Sequence, residues 1–77
     1  MVDVVVDARG LRCPLPVIRL AGAARVAAPG TVVVVLSTDA AAEPDIAAWC
    51  RMRSAELVDQ EWTADETGAF LRSSVRV

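Results

Sequence analysis

These 77 residues contain no histidine and no lysine. Without histidine there is no Ser-His-Asp or Cys-His arrangement and no Cys/His zinc site. Without lysine there is no Schiff base and no P-loop lysine. A glycine-rich phosphate fingerprint is missing as well. The two cysteines, Cys13 and Cys50, are too far apart to form a C-x-x-C pair. The longest apolar run, 32–36, is far too short to span a bilayer. Asp3 and Asp7 stand where a secretory leader would be basic and then apolar, so the expected location is the cytoplasm, with no membrane partner. Cations are not in excess: the eight basic residues are all arginine against ten acidic ones, which argues against a nucleic-acid face. A chain of this length predicts one domain, residues 1–77, with a thin core and no room for a separate substrate domain or an enclosed cofactor cavity, and no metal site is expected. The chemistry left open is that of a lone nucleophilic sulfur without a side-chain base. That fits sulfur-to-sulfur exchange better than hydrolysis, because exchange needs only a thiolate and a leaving sulfur.

The pattern along the chain predicts β-α-β-α-β-β. Residues 2–7 form a β-branched strand, with Val4 and Val6 on one face and Asp3, Val5 and Asp7 on the other. Residues 8–12 are a loop in which Gly10 is free to take positive φ. A helix follows over 14–27, with Leu15, Ile18 and Gly22 along one stripe, Val17, Ala21 and Ala24 beside it, and Arg19 and Arg25 outward. The uninterrupted apolar run at 31–36 suits a central strand reached by a right-handed parallel crossover. Residues 37–43 form a loop that Asp39 can cap, and Pro44 starts a second helix over 44–55. Ile46, Trp49, Cys50 and Arg53 recur at helical spacing there, so Cys50 reads as a core cysteine rather than a resolving thiol. Strands at 56–63 and 69–77 close a hairpin through Gly68. In strict alternation Leu57 and Trp62 take opposite faces. With Leu57 inward, Trp62 lies on the open sheet face near Phe70, either covering the sheet or offering a contact surface.

The stretch Gly10-Leu11-Arg12-Cys13-Pro14-Leu15-Pro16 lies between the first strand and the first helix. Prolines are tolerated in a helix's first turn, where N–H groups have no intrahelical acceptor. The expected placement is Cys13 at the N-cap, Pro14 at the first helical position and Pro16 at the third. The free N–H groups of Leu15 and Val17 can then point at the sulfur, with Arg12 adding positive charge. A free thiol has a pKa of about 8.5, which helix N-termini and cations lower to roughly 3.5–7.5. Cysteine caps poorly beside Ser, Thr, Asp or Asn, so its presence there suggests a use for the sulfur. Asp7 and Arg9 form either a plain surface pair or a brace for the loop that presents Cys13. Arg19, within two turns, can meet an acidic partner.

The run Asp7-Ala8-Arg9-Gly10-Leu11-Arg12-Cys13-Pro14-Leu15-Pro16 resembles the signature of the TusA/SirA-like sulfurtransferase family. The element order and the stretch from Ser37-Thr38-Asp39 to Asp45-Ile46-Ala47-Ala48-Trp49-Cys50 are similar to that family too. The resemblance implies an α+β two-layer sandwich, with two helices on one face of a four-stranded mixed sheet. It implies that Cys13 takes a sulfane sulfur as a persulfide from a donor such as a cysteine desulfurase or a rhodanese. The sulfur then passes to an accepting protein, toward tRNA 2-thiouridine, molybdenum cofactor or sulfur oxidation, and no bound cofactor is implied. Leu15 replaces the acidic residue some members carry between the prolines, and Ala47 stands where a proline often precedes the aromatic-Cys pair. Two other readings compete: a redox-sensing or regulatory thiol module, and a non-catalytic interaction domain using the open sheet face.

Overall fold

The computed structural model describes residues 2–77. Strand β1 is Val4–Ala8, helix α1 Leu15–Val26, strand β2 Val32–Ser37, helix α2 Ala42–Arg53, strand β3 Glu56–Asp65 and strand β4 Gly68–Arg76. The four strands make one mixed sheet in the order β1-β2-β4-β3. β1 and β2 are parallel; β4 is antiparallel to both β2 and β3. The helices pack on one face, giving the expected α+β sandwich. β2 is the interior strand that its unbroken valines predict, and Val32, Val33, Val34 and Val35 are all buried.

Alternation decides which side chains meet the helices. Val6 and Ala8 of β1, Val33 and Val35 of β2, and Leu71 and Val75 of β4 form the sheet half of the core. Leu20 from α1 and Ala42, Ile46 and Cys50 from α2 form the other half. Cys50 is thus a core residue, 2% exposed. Ser37 ends β2 on this same inner face, and its Oγ is buried without a hydrogen-bond partner among the described residues. An unmet buried hydroxyl costs about 1–3 kcal/mol. Ser37→Ala is therefore expected to raise stability by roughly 1 kcal/mol, seen as a higher urea midpoint with an unchanged slope. A lower midpoint would mean that the hydroxyl has a partner.

Two side-chain placements depart from the sequence pattern. In α1 the buried residues are Pro16 and Leu20, whereas Leu15 and Ile18 are 44% and 56% exposed and Gly22 is exposed. The helix is apolar on nearly every side, so the pattern does not select a face. The crossover from β1 to β2 does, and it turns the Pro16–Leu20 side onto the sheet. In β3 the pairing with β4 slips between Leu57 and Asp59, leaving Val58 as the extra residue of a bulge. Alternation restarts after it. Leu57 opposite Val75 and Trp62 opposite Leu71 therefore share the helix-side face, against the expectation that they part. Trp62 keeps 41% exposure, but its Nε1 donates to Glu43 Oε1 at 3.1 Å, and Gln60 Nε2 donates to the Glu43 carbonyl at 3.0 Å. The hairpin's long arm is thereby tied to the first turn of α2.

Candidate functional site

Parallel strands end at the same edge of a sheet. Ala8 pairs with Ser37 at the ends of β1 and β2, so the loops leaving both strands start side by side. Each loop leads into a helix, and both helix N-termini converge at this edge. Cys13 lies on the first loop; Asp39 and Asp45 belong to the second loop and to the first turn of α2.

The start of α1 differs from the expected one. The helix begins at Leu15, with Pro14 at the N-cap and Pro16 at the second helical position. Its first intrahelical bond runs from the Ile18 N–H to the Pro14 carbonyl, 3.0 Å. Cys13 therefore sits one residue ahead of the cap. The reason is a tight turn in which the Leu15 N–H donates to the Arg12 carbonyl at 2.9 Å. That bond also occupies the Leu15 N–H, which is not available to the sulfur. α2 likewise starts before Pro44, at Ala42, because the Asp39 Oδ1 and carbonyl accept the N–H groups of Ala41 and Ala42, both at 3.0 Å.

The loop before Cys13 is held at several points. Gly10 has φ of 83°, and its N–H donates to Thr38 Oγ1 at 2.9 Å. Arg9 makes three bonds to the Asp7 carboxylate, from its N–H and from its guanidinium, the shortest 2.7 Å. The guanidinium also reaches Asp65 Oδ2 at 3.2 Å and stands 5.1 Å from the Phe70 ring centre. The Arg9 side chain, followed by its backbone N–H, holds the Asp7 carboxyl down at about 2. Asp7 and Arg9 are thus a brace that ties the loop to the β3–β4 hairpin. Replacing Gly10 by alanine meets no atom within 4 Å, so its cost is conformational. Gly10→Ala is expected to lower stability by about 1–2 kcal/mol, measured by urea unfolding. An unchanged midpoint would show that the loop can relax to negative φ.

Cys13 is a free, half-buried thiol that packs on the rim of the core. Its backbone N–H donates to Asp39 Oδ2 at 3.0 Å. Sequence reasoning anticipated an acidified sulfur; the structure places it among carboxylates. Partial burial, then the carboxylate of Asp45, then the charge of Asp39, push the Cys13 thiol up to about 11. The charge of Arg12 falls on Asp39, whose carboxyl lies below its usual range chiefly because it accepts the Cys13 and Ala41 N–H groups. Asp45 is the residue the sequence missed. Nothing local ties it to Cys13; the parallel pairing of β1 and β2 brings their loops to one edge.

The remaining expected residues lie around this edge or beyond it. Arg12 and Arg19 are exposed and make no ion pair among the described residues. An open cleft of about 470 Å³ lies along Gly10, Leu11, Arg12, Thr38 and Asp39. A cleft of about 530 Å³ lies between Ala24 of α1 and Trp49 of α2, toward the helix C-termini and away from Cys13. Among the described residues no helix is long and apolar enough to cross a membrane.

Comparison with known proteins adds the following. A family model described as "Sulfurtransferase TusA" matches residues 4–73. The "Sulfur carrier protein TusA" of Pseudomonas aeruginosa is 40% identical over 70 residues, covering 91% of this chain and 85% of that protein. The protein of the same name from Pseudomonas fluorescens is 39% identical over 70 residues, covering 91% and 81%. The crystal structure of a SirA-like protein from Desulfitobacterium hafniense superposes with a TM-score of 0.71 at 26% identity, covering 95% of this chain and 96% of that one.

Proposed function

The chain belongs to the TusA sulfurtransferase family, and we propose that it is a sulfur carrier whose cargo rides on Cys13. The single observation that carries this reading is a free, half-buried thiol on a braced loop, where two helix starts meet. The other cysteine is sealed in the core. The curated relatives named as sulfur carriers support the same role.

In this reading a protein donor, such as a cysteine desulfurase or a rhodanese, offers a sulfane sulfur, and Cys13 takes it as a persulfide. A second protein then removes it, toward thiolated tRNA, molybdenum cofactor or another sulfur pathway. The carrier contributes the sulfur atom and its placement; the donor contributes the leaving group and the orientation of attack. Pro14, Leu15 and Pro16 set where α1 begins, Gly10 lets the loop turn, and Asp7 with Arg9 keeps it against the hairpin. Arg12 and Arg19 are the exposed cations that an acidic partner surface would meet.

The test is intact mass after incubation with a cysteine desulfurase and free cysteine. One added sulfur, removable by a reductant and mapped to Cys13, is the expected result. No gain in mass, or a gain on Cys50, would overturn the reading.

A further inference from the structure

The cleft between the C-terminal halves of α1 and α2 takes no part in the sulfur chemistry, yet its charged side chains are all of one sign. The geometry points to a binding site there for a small aromatic anion, with its ring against the Trp49 indole and its anionic group between the guanidinium groups of Arg25 and Arg53.

Its volume, about 530 Å³, falls in the range of roughly 300–1,000 Å³ usual for small-molecule sites. Ala21, Ala24 and Ala55 contribute only methyl groups to its lining, so no side chain of theirs fills the space. Trp49 is half-buried and packs against the core, and it also lines the cleft. A ring anchored in this way is a platform that costs little to order. Arg25 from α1 and Arg53 from α2 are exposed. Among the described residues neither guanidinium has an ion pair or a hydrogen bond, and the Trp49 indole N–H has no acceptor. No acidic side chain lines the cleft, in a chain whose net charge is −2. Val77 reaches it through the backbone, but its N–H donates to the Thr31 carbonyl at 2.9 Å and its oxygen accepts the Gly30 N–H at 2.6 Å.

An arginine in a last turn complements its helix dipole whether or not anything binds. Arg51 does so in α2 without lining the cleft. That role does not account for two unpaired guanidinium groups, from different helices, sharing one cleft with an indole. A guanidinium holds a planar or branched oxyanion through parallel hydrogen bonds. An indole face takes an aromatic ring by stacking. A bare inorganic anion would leave the indole and the methyl groups wet, and a neutral arene would leave both cations unpaired. The two halves of the lining thus specify the two halves of the ligand. α1 is twelve residues long, about 18 Å, and Cys13 precedes its other end, so an occupied cleft leaves the sulfur open.

The experiment is a titration of the full chain with naphthalene-1-sulfonate, followed in proton–nitrogen NMR spectra. The chain has two tryptophans, and their indole N–H signals are assigned by the one that Trp62→Phe removes. The Trp49 signal should move and saturate, with a dissociation constant of about 1 mM or below, while the Trp62 signal stays. Inorganic sulfate and the neutral 1-naphthalenemethanol should each bind roughly tenfold more weakly or not at all. Arg25→Gln and Arg53→Gln should each weaken binding by roughly two- to fivefold, and the double variant by more than either. Both side chains are exposed, so the variants should keep the parent spectrum. No saturable shift at Trp49, equal affinity in the double variant, or sulfate binding as tightly as the naphthalene sulfonate overturns the proposal. Should a variant unfold, the unmodified protein with the three probes still decides. No sulfur donor is present, so the result stands apart from the carrier reading.

Discussion

Cys13→Ser is expected to gain no sulfur from a donor that loads the unmodified protein, while keeping its fold. The hydroxyl oxygen of serine cannot form a persulfide, and no other reachable sulfur replaces it, since Cys50 is 2% exposed and surrounded by core side chains. The fold should survive because the loop is held by backbone and neighbouring groups that the substitution leaves alone. The N–H of residue 13 still reaches Asp39, Gly10 still reaches Thr38, and Arg9 still spans Asp7 and Asp65. Half-buried Cys13 gives up only modest packing, so the change in unfolding free energy should stay within about 1 kcal/mol. The measurement is intact mass after donor treatment, alongside a urea melt of each protein. Equal loading of Cys13→Ser would eliminate the carrier reading, and a variant whose urea melt shows it unfolded would overturn the expectation that the loop is held without the sulfur. A ready Cys13–Cys50 disulfide under mild oxidation would instead favour the redox module; the structure has both thiols free.

The elements that were legible in the sequence are those whose pattern admits one interpretation. Five consecutive apolar residues from Val32 can only be an interior strand, and Ile46 with Cys50 marks an inward helical face. What was not legible falls into two kinds. In α1, Leu15 and Ile18 are as apolar as Leu20, so periodicity alone cannot choose between two stripes; the geometry of the crossover chooses. In β3, one bulged residue at Val58 reverses every assignment beyond it and carries Trp62 to the opposite face. The candidate site divides in the same way. Cys13 announces itself through its prolines, but its electrostatics come from Asp39 and Asp45, 26 and 32 residues further on, joined to it only by parallel strand pairing. A local reading counts the helix start and Arg12 and expects an acidified thiol. The assembled edge adds partial burial first and two carboxylates after it, and the direction reverses.

The helix faces themselves yield the sharpest stability contrast. Ile46→Ala is expected to destabilise the protein by about 2–5 kcal/mol, the usual range for emptying a fully buried aliphatic site. Ile46 is wholly buried at the centre of the contact between α2 and the sheet, in one cluster with Val33, Val35, Leu71 and Val75. A chain of this length has a total stability of roughly 4–12 kcal/mol, so the loss is a large fraction of the whole. Ile18→Ala, on the exposed side of α1, should change stability by no more than about 0.5 kcal/mol. Sequence periodicity alone ranks both residues as inward, so the pair tests the packing rather than the residue type. Urea unfolding of both variants separates the outcomes. Similar losses would mean that α1 lies on the sheet by its Leu15–Ile18 side after all.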